Sequence, residues 1–395
     1  MTDPHMTGPP VTDPQSTGPA VPAVPLHCPT CGSEVRGSDS FCEACGTSLA
    51  FAAATDADGT PLGSDDDLLE SPITLSRSLV SSTPEAATDT VVVNRRPCRE
   101  CGGTVGPDGY CEVCGTKAPT ERDHYTEQPA PWVAACSDRG IRHDRNEDAS
   151  AIAADAAPGS RAVLVACDGV STSTDSDVAA LAAARAARDV LVAHNPAGIG
   201  LPASRTAAVA SAIGAAVAAA NDAVIAHTAP NSPNAASCTF ACAVVEGDQA
   251  TYGNVGDSRV YWIPDTGEAA LLSVDDSVAQ LRIDSGATRE QAEAGPQAHA
   301  ITKWLGRDAP DLTPTTGTVQ LTEPGWLVVC TDGLWNYASE PRALQHVFAE
   351  QIATIGSAGE SAVGLDPLPL TEALVRWACD QGGKDNITVA LARRS

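Results

Sequence analysis

Aromatic side chains are scarce in this sequence: Phe, Trp and Tyr together make up 4% of its 395 residues, and methionine occurs twice. Hydrophobic residues still account for 43%, so a packed core is expected, built from Ala, Val and Leu rather than from rings. Basic residues are few as well. Lys and Arg number 24 against 50 Asp and Glu, a formal charge of −26. A surface this acidic repels phosphate backbones and anionic lipid, which argues against nucleic-acid and membrane partners; it attracts divalent cations. Long apolar runs are missing. The most apolar stretch, 206–226, is mostly Ala and carries Asn221 and Asp222, which suits a packed helix rather than a membrane span. No basic segment followed by an apolar run opens the sequence, so no secretion signal is expected and the cytoplasm is the expected compartment. There the 14 cysteines call for an explanation other than disulfides.

The length fits two or three domains. Residues 1–26 hold an imperfect repeat, TDPHMTGPPV then TDPQSTGPAV, whose Pro, Gly and Thr predict a disordered tail. Residues 27–49 and 97–117 are short cysteine-rich units. Between them 50–96, rich in Ser, Thr, Asp and Ala, reads as a flexible linker, and 118–128 as a shorter one. From 129 to 395 short apolar runs alternate with Ala-rich segments, the texture of one sizeable domain. Period and β-branched content predict strands over 162–166, 239–245, 260–263, 326–330 and 387–391, and helices over 177–193, 203–227, 342–352 and 370–381. Residues 252–262 read as a hairpin turning at Gly256, Asp257 and Ser258. The mixture predicts an α+β fold of antiparallel sheets flanked by helices.

Cys28-x-x-Cys31 and Cys42-x-x-Cys45 are each followed by glycine, and the pattern returns as Cys98-x-x-Cys101 and Cys111-x-x-Cys114. Two residues between thiolates let a tight knuckle aim both sulfurs at one ion. Disulfides or a redox Cys pair are the alternatives; two complete four-cysteine sets favour two structural Zn2+, one per unit. Units this short and this poor in apolar residues fold only with metal. They resemble zinc ribbons. Their flanks carry few basic residues, so protein docking or spacing is expected rather than nucleic-acid binding. Cys136, Cys167, Cys238, Cys242, Cys330 and Cys379 lie mostly in apolar contexts and read as buried small hydrophobes.

Two strands end alike, one apolar run leading into Asp168-Gly169 and another into Asp332-Gly333. Asp385 stands just before the strand at 387, and Glu147-Asp148 follow a segment holding Arg142, His143 and Arg145. Asp-Gly is a common turn at strand ends, so a single instance means little. Four carboxylates meeting at one sheet edge, however, would not all stay ionised without hard cations. Gly169 would let a backbone carbonyl approach the same ion.

The ordered set Asp138-x-Gly140, Asn146-Glu147-Asp148-Ala149, Asp168-Gly169, Asn254-Val-Gly-Asp257-Ser258-Arg259, Thr331-Asp332-Gly333-Leu334 and Gly383-x-Asp385-Asn386-Ile387-Thr388 resembles the metal-dependent type 2C protein serine/threonine phosphatases. It runs through nearly all of 132–395, and the tandem ribbons resemble the front end of actinobacterial members. The resemblance implies a four-layer α-β-β-α sandwich of two antiparallel sheets with two Mn2+ or Mg2+ at one edge. It implies Asp168 as the bridging ligand, Asp332 and Asp385 completing one ion, and the Gly169 carbonyl on the other, whose waters Glu147 and Asp148 hold. A hydroxide between the metals would attack phosphoserine and phosphothreonine of proteins without a protein nucleophile.

The sequence also departs from that pattern. The family's phosphate-binding Arg falls on His143. Only an Arg fork grips two phosphate oxygens in one plane, so Arg142 is favoured and Arg145 is its rival, with a structural ion pair the other role open to either. Val170 replaces the His that some members place after the first Asp-Gly. Asn234 stands where an Asp for a third metal is expected, so a third ion would bind weakly or not at all. Asp257 and Arg259 read as a structural ion pair. The expected whole is a protein phosphatase whose ribbons dock partners, a Ser/Thr kinase or its substrates among them. Two rivals stand beside it: a catalytically inactive phosphoprotein-binding scaffold, and a phosphatase of small phosphorylated metabolites. The intact Asp148, Asp168, Asp332 and Asp385 count against the scaffold.

Overall fold

The computed structural model describes residues 26–27, 34–35, 98, 101–106, 109–118, 120–194, 202–357 and 366–395. The chain divides into two units, 1–91 and 92–395. In the first, β1 (Leu26–His27) pairs antiparallel with β2 (Glu34–Val35). The expected tail through residue 25, the linker 50–96, and Cys28, Cys31, Cys42 and Cys45 lie outside the described residues.

The second unit starts with the Cys98–Cys114 segment, where Cys98, Val105 and Cys111 form a small core of their own. A 3-10 turn, Glu121–Asp123, follows. The chain then runs through β3 (His124–Ala130), β4 (Val133–Asp138), β5 (Ala149–Ala154), β6 (Arg161–Cys167), α1 (Ser176–Ala193), α2 (Pro202–Ala226), β7 (Ser237–Cys238), β8 (Phe240–Glu246), β9 (Gln249–Val255), β10 (Arg259–Pro264), β11 (Ala270–Leu271), α3 (Val278–Asp284), α4 (Arg289–Glu293), β12 (Leu305–Gly306), β13 (Thr315–Gln320), β14 (Gly325–Cys330), α5 (Asp332–Trp335), α6 (Pro341–Ser357), α7 (Pro367–Asp380) and β15 (Ile387–Arg394). One sheet has the order β11-β10-β14-β15-β4-β3 and the other β13-β9-β8-β6-β5. Every neighbouring pair in both is antiparallel.

Strands buried on both faces explain the layering. Along β6, Val163, Val165 and Cys167 face α1 and α2, while Ala162, Leu164 and Ala166 face the other sheet. Along β14, Trp326, Val328 and Cys330 face α6 and α7, while Leu327 and Val329 point between the sheets. Each fully buried Leu or Val contributes about 1.5–3 kcal/mol. Many inner positions are alanine (Ala162, Ala166, Ala241, Ala243, Ala390, Ala392). The outer helices use the same residue: α1 buries Ala179, Ala180, Ala183, Ala184 and Ala187, a helical spacing that presses one face onto the sheet. The result is the expected four-layer α-β-β-α sandwich. By length and composition Ala203–Ala226 is apolar enough to cross a membrane, but Val209, Ile213, Val217 and Val224 are buried in the core shared with α1.

Two expectations are corrected. Residues 252–262 do not form a hairpin. β9 pairs with β8 and β13, whereas β10 pairs with β14 and β11, so the turn at Gly256 carries the chain from one sheet to the other. Gly256 has φ +96°, and a Cβ there would lie 2.8 Å from Thr239 Cγ2. Alternation along two doubly buried strands does not tell which sheet each joins. The first sheet also reaches back to His124, taking in 124–128 of the stretch expected as linker; with intermediate or exposed residues before Ala130, β3 is an edge strand without an apolar signature.

Candidate metal centre

Strand ends deliver the carboxylates. Asp168 follows β6, Asp332 begins α5 just beyond β14, and Asp385 precedes β15, the neighbour of β14. Asp148 precedes β5, whose Ala149 is in register with Cys167 of β6, so Asp148 and Asp168 leave adjacent strands at the same edge. Hydrogen bonds stitch the two sheets together there. Thr331 Oγ1 donates to Asp148 Oδ2 (2.6 Å) and accepts from Thr388 N–H (2.9 Å). Glu147 N–H donates to Asn386 Oδ1 (2.8 Å). Asp168 N–H donates to Thr239 Oγ1 (3.1 Å), and Thr239 N–H donates back to the Asp168 carbonyl (2.8 Å). Gly169 has no room for a side chain: a Cβ would lie 2.7 Å from the Glu147 carbonyl oxygen and 2.9 Å from that of Ser176.

The electrostatics match this convergence. Burial pushes Asp148 up to about 7, and the Asp385 charge adds to that against the Thr331 hydrogen bond. Burial holds Asp168 well above the usual carboxylate range, as do the charges of Asp148, Asp332, Asp385 and Asp257. Asp332 is raised by burial and then by Asp385, Asp257 and Asp148. Asp385 is raised by burial and drawn back by His143; its side chain is 39% exposed, so solvent screens it more than the others. Asp148 Oδ1 and Asp332 Oδ1 are buried without a hydrogen-bond partner. Orphaned carboxylate oxygens are costly in a protein interior and are the ligand type that hard divalent cations take. The residues present therefore fit such ions. Among the described residues no three of these carboxylates bring oxygens within 4.8 Å of one another.

The raised values set a stability trend. Asp148 and Asp257 each titrate near 7 in the folded chain, against about 4 when unfolded. Groups shifted in this direction contribute stability that is fully present below about pH 4 and lost as pH rises through 7. In chelator, the thermal midpoint should fall between pH 5 and pH 8 by the equivalent of about 2–4 kcal/mol. Scanning calorimetry checks this; a midpoint rising across that window would mean that burial does not hold these carboxyls protonated in the fold.

The basic residues divide their roles. His143 Nε2 lies 3.2 Å from Asp385 Oδ1 and Nδ1 lies 3.8 Å from Glu147 Oε2. Arg145 is committed to Glu147: Nη2 and Nε donate to Oε1 at 2.7 and 3.1 Å, and Nη2 also reaches Ser176 Oγ at 3.2 Å. Burial works to raise Glu147, but His143, Ser176 and Arg145 hold it down at about 2. Of the two arginine roles left open above, Arg145 fills the structural ion pair. Arg142 is exposed and only its N–H is engaged, donating to the Gly383 carbonyl (3.2 Å). Asn234 Nδ2 donates to the Thr172 carbonyl. The expected Asp257–Arg259 pair is corrected: Arg259 pairs with Asp275 (2.7 Å) and Glu293 (3.2 Å). Asp257, raised to about 7 by burial and the Asp275 charge, instead joins the carboxylates around Asp168. Sequence reading did not single out Thr331, Thr388 and Asn386 as the braces of this edge, although each lies in a motif already quoted.

The second cysteine set is also assembled. Cys98 Sγ lies 3.6 Å from Cys114 Sγ and Cys101 Sγ lies 3.4 Å from Cys111 Sγ. All four sulfurs fall within 4.8 Å of one another, and none is in a disulfide. A tetrahedron with about 2.3 Å bonds has edges of about 3.8 Å, close to these separations. The Thr116 hydroxyl and N–H draw Cys114 down to about 6, and the Cys114 and Val113 N–H groups lower Cys111. Cys101 moves the other way, to about 12, where the neighbouring thiols outweigh the Gly103 N–H. Four sulfurs this close titrate as a set, so the lowered pair is the informative part.

Comparison with known proteins adds the following. A family model for protein phosphatase 2C matches residues 139–377, and one for a zinc-ribbon domain matches 27–49. Protein phosphatase PhpP of Streptococcus pneumoniae is 37% identical over 147 residues, 36% of this chain and 52% of that protein. Serine/threonine protein phosphatase PstP of Mycobacterium tuberculosis is 28% identical over 155 residues, 39% of this chain and 27% of its own. The chain thus spans about half the length of the former and less of the latter. Among solved structures, the serine/threonine phosphatase of S. agalactiae superposes with a TM-score of 0.51 at 23% identity, over 68% of this chain and 98% of that one. The M. tuberculosis phosphatase PstP/Ppp gives 0.51 at 25% identity, over 66% and 97%.

Proposed function

Because this chain belongs to the protein phosphatase 2C family, we propose that it is a metal-dependent phosphatase of phosphoserine and phosphothreonine in proteins. What supports this reading is the placement of Asp148, Asp168, Asp332 and Asp385 at strand ends of one edge, near enough for their charges to raise one another, with buried oxygens of Asp148 and Asp332 left unpartnered. Asp168 is proposed to serve two Mn2+ or Mg2+ at once, Asp332 and Asp385 to complete one of them, and the Gly169 carbonyl, Glu147 and Asp148 to hold the other with its waters. When bound, such a pair supplies Lewis acidity that makes water a nucleophile near neutral pH and offsets phosphoryl charge.

The chain's own groups then orient and bind. Arg145 and Ser176 fix the Glu147 carboxylate, and Thr331 fixes Asp148. Arg142, exposed and without a carboxylate partner among the described residues, is proposed to bind the phosphate, and His143 stands between Glu147 and Asp385 where it meets the same ligand. The relatives' names, protein phosphatase and serine/threonine protein phosphatase, support phosphoproteins as substrates. We assign 129–395 to catalysis and the units 27–49 and 97–117 to partner docking, each around one structural Zn2+.

The direct test is hydrolysis of a phosphothreonine peptide by the full chain. Activity should require Mn2+ or Mg2+, vanish in chelator, and exceed that on sugar phosphates. Metal-independent turnover would remove the metal-based reading, no turnover at all would favour the scaffold one, and equal rates on sugar phosphates would favour the metabolite one. For the ribbons, metal analysis of the purified chain should give about two zinc, falling to about one in Cys111→Ser. A zinc-free, disulfide-linked protein would refute that assignment.

A further inference from the structure

Between the second four-cysteine unit and β3 the chain makes the 3-10 turn Glu121–Asp123, and Arg122 reaches from it to the back of the carboxylate edge. We propose that Arg122 is a positioning residue for the metal centre, holding the Glu147-Asp148 loop where a divalent cation can be bound. This inference rests on the reading of those carboxylates as metal ligands.

Arg122 Nη2 donates to the backbone carbonyl of Asp148 at 2.5 Å and to that of Asp177 at 3.3 Å. One guanidinium nitrogen therefore ties the residue that precedes β5 to the first turn of α1. Both ends matter to the ligands. Asp148 is held at its side chain by Thr331 and at its N–H by Asn146 Oδ1 (3.2 Å), and Arg122 adds the hold on its carbonyl. Asp177 follows Ser176, whose hydroxyl donates to Glu147 Oε1.

The turn is itself anchored to the same loop. Asn146 Nδ2 donates to the Arg122 carbonyl (3.1 Å), and Arg139 N–H donates to the Asp123 carbonyl (2.8 Å). The guanidinium carbon sits 5.2 Å from the centre of the Tyr125 ring, and the Tyr125 hydroxyl accepts from Ser150 N–H (2.8 Å) on β5. Arg122 Nη1 is buried without a hydrogen-bond partner, so Nη2 and the ring contact carry the interaction. Arg122 lies before residue 139, where the match to the phosphatase family begins. The brace is thus supplied by the segment that follows the cysteine unit.

Charge and position predict opposite outcomes, which makes the role testable. A cation behind Asp148 repels a divalent ion; one nitrogen donating to two carbonyls, on a guanidinium laid over the Tyr125 ring, holds the ligand loop in place. A lysine keeps the charge but not the flat group that lies over that ring. The experiment measures Mn2+ binding to the full chain directly, from the electron paramagnetic resonance of free Mn2+, in wild type, Arg122→Lys, Arg122→Met and Asp332→Asn, with a melting curve for each. Removing a group that orients metal ligands typically weakens binding about 10–100-fold. Both Arg122 variants should lose about tenfold in Mn2+ affinity, and saturating Mn2+ should restore most of the turnover. Should they fail to fold, Tyr125→Leu, which removes the ring beneath the guanidinium together with the hydroxyl that Ser150 reaches, should lose about threefold more than Tyr125→Phe, which removes the hydroxyl alone. Unchanged binding in both Arg122 variants, or tighter binding in Arg122→Met, overturns the positioning role. Mn2+ binding that survives Asp332→Asn intact overturns the metal-site reading itself.

Discussion

Asp332→Asn should lower kcat/KM for a phosphothreonine peptide by about three orders of magnitude, ~4 kcal/mol, and at the same time raise the melting temperature of the chelated protein. The two effects share one cause. Asp332 is raised by burial and by Asp385, Asp257 and Asp148, so its charge destabilises the fold while making the edge attractive to cations. Asn removes the charge with little change of shape. Its oxygen can still accept from Asn336 Nδ2, which donates to Asp332 Oδ2 at 3.0 Å. Metal-free protein should gain about 1–2 kcal/mol from the loss of one repelling carboxylate, whereas Mn2+ should stabilise the variant far less than wild type, since stabilisation follows RT ln(1 + [L]/Kd). Peptide kinetics and melting with and without Mn2+ check both halves. Near-normal turnover, or a variant that melts lower in chelator, would remove Asp332 from the metal centre.

Arg259→Met should cost about 3–5 kcal/mol of folding stability, the largest loss expected of a single change away from the metal centre. Arg259 is 1% exposed. Its Nε and Nη2 donate to Asp275 at 2.7–3.0 Å, Nη1 donates to Ser339 Oγ (2.9 Å) and the Tyr261 hydroxyl (3.1 Å), and its carbon lies 3.5 Å from the Trp335 ring centre. One side chain thus joins β10, α4 through Glu293 and α5 through Trp335. Methionine fills some of the volume but leaves Asp275 buried and uncompensated. Adding Asp275→Leu should recover part of the loss, because an apolar pair of similar size tolerates burial better than one orphaned ion. Urea denaturation of the two variants measures this; a loss under 1 kcal/mol would mean the network is only surface electrostatics.

What could be read from the sequence was what strands announce at their ends. Apolar runs leading into Asp168-Gly169 and Asp332-Gly333 marked both the layers and the ligand edge, because a doubly buried strand must be apolar throughout. Pairing was not readable. β9 and β10 are adjacent in sequence and alike in pattern, and only packing sends them to different sheets. Arg259 illustrates the same limit: Asp257 is two residues away, yet the partner is Asp275, brought in by a segment whose sequence gave no sign of it. Arg145 was left with two possible roles, and its ion pair with Glu147 became visible only in the fold. Arg122 sat in a stretch whose composition read as connector, so nothing in it pointed to the carboxylate loop.

The division of ligands between the layers has a mechanical side. Asp148 and Asp168 ride on the strands of one sheet, Asp332 and Asp385 on those of the other. Alanine is the commonest residue between them, and each one offers only a methyl group to interlock with its neighbours. Cations gripping both sides would act as rivets across that seam, adding to the resistance of the packed core against shear between the sheets.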